Sequence, residues 1–262
     1  MAYLIQYNCL SLYISGMQEV NNIIIYQEDN EMKQTHGLAK FSTNSIMAEL
    51  TLKTAKSLYV NIGQTIKMLE ATTDDTFKAI EALEASGKSN TFIRNYLYAT
   101  MYLNFIYLDF CAAYRLYLSG TTHYEQRFAL KQLYTIMNEG YKTLYGFEGK
   151  DGSKKSDTRK NSIWNTYMTC YENCGVVEIE REYINFSQYL SSFTNPVIFN
   201  KESRSLSVHY NKDYKATFSF LSNLDAESIT IGANEFLAFM EGWHKFICLI
   251  SNVLIRKKIH SY

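Results

Sequence analysis

The 262-residue chain is predicted to be all-α, a multi-helix bundle. Three observations predict this. From Ser45 onward, apolar residues return at spacings of three and four, the period of a helix with one buried face. Helix-capping residues punctuate these runs at short intervals. The chain contains a single proline, Pro196, which argues against a loop-rich fold and for long helices. No alternating strand series, βαβ rhythm or internal repeat interrupts the pattern. An apolar fraction of 47% is ordinary for a globular protein and too high for a disordered one.

Residues 1–40 read as an irregular lead-in, with Asn22 to Tyr26 a candidate short strand, and 41–262 as one helical domain. Leu50, Leu58, Ile62, Ile66 and Leu69 form the stripe of a first helix. A second is expected from Thr72, where Thr72-x-x-Asp75 can cap a first turn, to Gly87. A third, from Asn90 to Leu118, is apolar nearly all round, as a central bundle helix is. Thr122-x-x-Glu125 is a capping box that opens a fourth, closing at Gly146.

Residues 148–161, EGKDGSKKSDTRKN, form the clear loop, with five basic residues against three acidic ones. It is either a solvated connection or a phosphate contact. A helix from Ser162 to Glu172 stops at Cys174-Gly175. Glu178 to Phe193 is amphipathic, with Ile179, Tyr183, Phe186, Leu190 and Phe193 on one face. Asn195-Pro196 is a start signal for a helix carrying Val197 to Val208. A short helix from Asp213 to Asn223 follows, and Asp225 caps the last one, which reaches about Lys258. In that helix Ile229, Ala233, Phe236, Met240, Trp243, Ile247, Ile250 and Leu254 alternate steps of four and three, a heptad seam. Phe239, Phe246 and Val253 make a second stripe, and two stripes on one helix suggest a face for the bundle and a face for a homodimer partner.

Charge and motifs narrow the function. Lys+Arg and Asp+Glu are 26 each, so nucleic acid is not bound through bulk charge and any such site is local. The chain has no GxxxxGK[ST], GxGxxG, HExxH, GxSxG or CxxC pair, and only one of its five histidines, His244, has Glu three residues before it, so the two Glu-x-x-His motifs of a di-iron bundle are not both present. P-loop hydrolysis, dinucleotide redox chemistry, zincin proteolysis and di-iron chemistry are therefore disfavoured, and neither a metal nor a cofactor is expected. The five cysteines form no framework, and Cys170 and Cys174, four apart, read as small core residues. Arg94, Asn95, Asn104, Asp109 and Arg115 interrupt the most apolar stretch, so no membrane span is expected. The first basic residue is Lys33, so residues 1–25 lack the positive region of a signal peptide. A cytoplasmic protein is the expectation.

The chemistry-bearing candidates are Arg204 and His209, in Arg204-Ser-Leu-Ser-Val-His209-Tyr210. Arg offers a fixed positive fork for phosphate, and His moves a proton near neutral pH. Together they can cleave RNA without a metal: Arg stabilises the phosphorane charge while His acts as general acid or base. Five residues on a straight helix leave two side chains about 140° apart, so the pair converges only if the helix ends or bends before His209. Asn211 and Asp213 are suitable end residues. His36 and His260 sit in the lead-in and the tail, His123 in a first turn, and His244 in the last helix beside Trp243, where a packed role is expected. Asp109 and Arg115 lie in the most apolar helix and call for partners, either each other's neighbours or the Arg204/His209 pair. The abundant tyrosines, 22 in all, read as core and interface filler rather than as one base-stacking site.

At these residues the chain resembles the HEPN superfamily of all-helical domains. The resemblance rests on Arg204-x4-His209, on its place before the final helices, and on VHYNKDYKATFSFLSNLDAESI leading into a long apolar C-terminal helix; it covers 160–262 best. It implies a dimeric, metal-independent endoribonuclease of a toxin–antitoxin or phage-defence type, with Arg204 and His209 catalytic, RNA as substrate and an antitoxin as possible partner. Ser205 stands where the family usually has Asn, Asp or His, and Tyr210 follows His209 directly where some members have His-x-Tyr. Ser205, Tyr210 and Asp109 are the candidate supporting residues. Two other readings stand beside this one: a non-catalytic helical module that binds RNA or protein and dimerises through the last helix, and a small-molecule binder with an aromatic-lined cavity.

Overall fold

The structure, a computed structural model, describes residues 45–87, 90–147, 158–195, 198, 215, 219–220 and 222–257, with side chains from Ala55 onward. Among the described residues there are six α-helices and no strand, so the predicted all-α bundle is what the chain forms. The helices are α1 (Ser45–Ala85), α2 (Thr91–Ser119), α3 (His123–Leu144), α4 (Ile163–Tyr167), α5 (Val177–Ser192) and α6 (Ala226–Arg256). Short 3-10 turns at Arg159–Asn161 and Met168–Tyr171 flank α4. No described helix is long and apolar enough to cross a membrane.

The break expected at Thr72 does not occur: α1 runs unbroken for 41 residues. The threonines that suggested a cap instead turn their hydroxyls inward. Thr72 Oγ1 donates to Met68 O at 2.8 Å, Thr73 Oγ1 to Leu69 O at 2.7 Å and Thr76 Oγ1 to Thr72 O at 2.7 Å. Side-chain hydroxyls satisfied by the carbonyl one turn back leave the helix intact. The caps expected at Thr122 and Asp225 hold, and Asn90 supplies a further one. Asn90 Oδ1 accepts from Ile93 N at 3.0 Å to open α2. Thr122 and Glu125 satisfy each other's backbone amides in a capping box at α3. Asp225 accepts from Glu227 N at 3.1 Å to open α6. The helix expected over 162–172 is instead one α-helical turn followed by a 3-10 turn.

α1 packs chiefly on α2, and α2 lies between α1 and a core built with α3 and α6. On α2, the contacts Tyr114–Asn234, Phe110–Phe236 and Tyr107–His244 climb α6 as they descend α2, so these two helices run antiparallel. The centre of the core is aromatic. Trp164 stacks on Tyr183 at 4.6 Å and 9°, and Phe186 on Phe246 at 4.6 Å and 12°. Tyr107, Tyr114, Tyr117, Tyr134, Tyr141, Tyr145, Tyr171 and Tyr183 are buried, which fits tyrosine as core filler.

The seam of α6 is buried as predicted, from Ile229 to Leu254. Its second stripe is buried too. Phe239 is in contact with Tyr141 and Phe193, and Phe246 with Trp164 and Phe186. The stripe expected to face a homodimer partner thus belongs to the protein's own core, because α5 and the α4 turn wrap around that side of α6. The basic loop also ends earlier than its composition suggested. Arg159 places its Cζ 3.5 Å from the centroid of Tyr145, a packed cation over a ring rather than a solvated one. The lead-in at 1–40 with its strand candidate, most of that loop, and the helices expected over 197–208 and 213–223, apart from Ile198, Lys215, Ser219, Phe220, Ser222 and Asn223, lie outside the described residues.

Candidate functional site

The segment predicted to carry the chemistry joins α5 to α6. Arg204, Ser205, His209 and Tyr210 lie outside the described residues, but both ends of the segment are described. At its start, Asn195 is fully buried. Its Oδ1 accepts from Ile198 N at 3.1 Å, the capping contact that Asn195-Pro196 suggested, and its Nδ2 donates to Gly232 O of α6 at 2.9 Å. Asn138 of α3 donates Nδ2 to Ile198 O at 2.6 Å, and the Ile198 side chain is buried. At the far end, Phe220 meets Tyr134 of α3 edge-on at 6.3 Å, and Arg127 Nη2 reaches Ser222 O at 3.5 Å.

Residues 127, 131, 134 and 138 step by four and three, so they share one face of α3. Asn138 and Tyr134 are about 6 Å apart along the helix axis. The described ends of the segment therefore meet one face of α3, at Asn138 on one side and at Tyr134 and Arg127 on the other. Buried Lys131 lies on the same face between Tyr134 and Arg127. The anchors Asn138, Tyr134 and Arg127 were not singled out from the sequence. Their signal was the four-three spacing, but a polar residue on that stripe reads equally well as solvent-facing until the partner segment is in place.

The supporting residue Asp109 is exposed on α2, so it is not a buried charge in need of a partner. Arg115 is half-buried and finds a ring rather than a carboxylate: its Cζ lies 4.3 Å from the centroid of Tyr59. His244 is packed as expected. Its ring lies 5.3 Å from that of Tyr107, and its Nε2 is shut off from water without a hydrogen-bond partner. Only the rim of the residue meets solvent, and burial lowers its pKa to about 4. It is neutral near pH 7 and is not placed to exchange protons with a ligand. His123 is exposed at the start of α3.

Cys170 and Cys174, expected as small core residues, are partly buried and pack against the core, and Cys111 lies within it. Burial pushes the Cys111 thiol up to about 12 and also raises Cys170 and Cys174. Cys170 Sγ donates to Tyr167 O at 2.9 Å. With their pKa values raised, these thiols are protonated near pH 7. Among the described residues no cluster of three or more His, Cys, Asp or Glu side chains is arranged to hold a metal ion.

A comparison of the chain with protein-family models, curated proteins and solved structures finds no match in any of the three.

Proposed function

We propose that the protein is a HEPN-like endoribonuclease that cleaves RNA without a metal, using Arg204 and His209. What supports the reading is the Arg204-x4-His209 pair in a segment whose two ends are tied to one face of α3. General acid–base chemistry needs its groups held in a fixed geometry about the reacting atoms. In this reading Arg204 holds the phosphate in a planar fork and His209 transfers the proton at the 2′-oxygen or the leaving 5′-oxygen. The protein acts in the cytoplasm, uses no cofactor, and is held in check by an antitoxin partner.

The test is cleavage of single-stranded RNA by the purified full chain in EDTA. His209→Ala should lower the rate by about 10²–10⁴-fold with the helical fold retained. Arg204→Lys should also impair it, because a point charge does not replace a planar fork. A folded wild type that leaves RNA uncut would refute the reading.

A second reading, a helical interaction module, is favoured by one observation: α2 keeps an exposed apolar stripe with Tyr102, Phe105 and Leu116 along its length. Binding of RNA or of a protein without any cleavage would select it.

A further inference from the structure

We propose that the exposed stripe of α2 pairs with the same stripe of a second copy of this chain, antiparallel, about a two-fold axis between Met101 and Tyr102. This does not depend on the nuclease reading. From Tyr98 the stripe runs Tyr98, Tyr102, Phe105, Asp109, Ala112 and Leu116 in alternating steps of four and three, the spacing of a helix–helix seam. Tyr102, Phe105 and Leu116 are 47%, 50% and 39% exposed. The opposite face of α2 is already occupied, since Tyr107, Phe110 and Tyr114 are buried in the core. A helix with apolar residues on both faces is wanted by something on each.

The charges on the stripe choose the occupant and its direction. Exposed Arg94 lies one turn before Tyr98, and exposed Asp109 lies toward the other end. Neither makes an ion pair with a described residue. Antiparallel pairing in the stated register brings each Arg94 against Asp109 of the second copy, twice over. It also sets Tyr98 against Phe105 of the second copy, with Met101 and Tyr102 meeting at the axis. Parallel pairing would oppose like charges. A two-fold contact must be self-complementary in this way.

Two further features agree. The anchors are already ordered. Tyr102 rests against Tyr167 with ring centroids at 6.3 Å and 23°, and the Tyr98 hydroxyl donates to Glu84 Oε1 at 3.0 Å. Little side-chain freedom is then lost on pairing. The same register carries Leu116 of the second copy to the α1–α2 turn, where a cleft of about 160 Å³ opens between Leu83, Gly87, Asn90 and Arg94. Single-stranded RNA also stacks on exposed aromatics, but it needs a basic track for its phosphates. Here the stripe offers Arg94 against Asp109, with Glu84 beside Tyr98.

The test is sedimentation of the purified full chain at micromolar concentration, with charge reversal to read the register. Wild type should sediment as a dimer. Phe105→Glu, at an exposed site, should weaken dimerisation by roughly 30-fold or more while the helical circular dichroism is unchanged. Arg94→Asp and Asp109→Arg should each weaken it, and the double variant should recover it, because the reversed charges meet again across the axis. A monomeric wild type overturns the proposal, as does a dimer indifferent to Phe105→Glu. A double variant no better than the singles overturns the register. Loss of RNA binding in Phe105→Glu with no change of oligomeric state would give the stripe to nucleic acid and likewise overturn it.

Discussion

The guanidinium of Arg115 on α2 lies over the ring of Tyr59 on α1, with Cζ 4.3 Å from the ring centroid. The neighbouring Gly63 makes room for it: a Cβ there would come within 3.3 Å of the same carbon. Because α1 packs chiefly on α2, this contact helps set the register of the α1–α2 hairpin.

Tyr59→Leu should therefore lower stability by about 1 kcal/mol, the worth of a partly buried cation over a ring. The loss should show as a lower urea midpoint with an unchanged m-value. No change in midpoint would mean that the α1–α2 register is carried by the apolar stripe alone.

Two glycines with positive φ should respond differently to alanine. Gly146 sits at φ +80°, and a Cβ there would lie 2.7 Å from the backbone of Arg159. Gly87 sits at φ +62° with open space around it. Gly87→Ala should cost about 1 kcal/mol, the left-handed penalty alone. Gly146→Ala should cost at least twice as much, because backbone must move as well. Equal losses in parallel urea titrations would contradict this.

His244 makes stability depend on pH. Burial holds its pKa near 4 in the folded state, whereas an unfolded chain protonates it near 6.5. Between those values the unfolded state binds more protons, so stability is full above about pH 6.5 and falls as the pH drops toward 4. The loss approaches about 3 kcal/mol at the low end. His244→Phe should flatten this part of the profile, measured as unfolding free energy between pH 7 and 4.5. An unchanged slope would place the linkage elsewhere.

Asn195 ties the α5–α6 segment to its own first turn and to Gly232. Asn195→Ala should cost about 2 kcal/mol, from the lost cap and the unpaired carbonyl. If the segment carries RNA cleavage, the rate should also fall, under conditions where circular dichroism shows the variant fully folded. Asn138→Ala, which removes the donor to Ile198 O, should act in the same direction.

The helices were legible in the residues themselves, because period and caps are local. The buried seam of α6, the capping box at α3 and the Asn195 cap all follow from side chains within one turn of the backbone they serve. Where a local signal had two outlets, only packing chose between them. Thr72 can cap a helix or bond back into one, and it bonds back because no Gly or Pro interrupts the chain there. The second stripe of α6 had to be covered, which its apolarity required, but whether by a partner or by Trp164, Phe186 and Phe193 depends on where α4 and α5 come to rest. By the same logic, the exposed stripe on α2 appears only once the other described helices are in place. Sequence alone thus determined which faces must be buried and which residues can carry chemistry. Tertiary structure decided what covers each face, because burial is shared between elements far apart in the chain and no single segment encodes its partner.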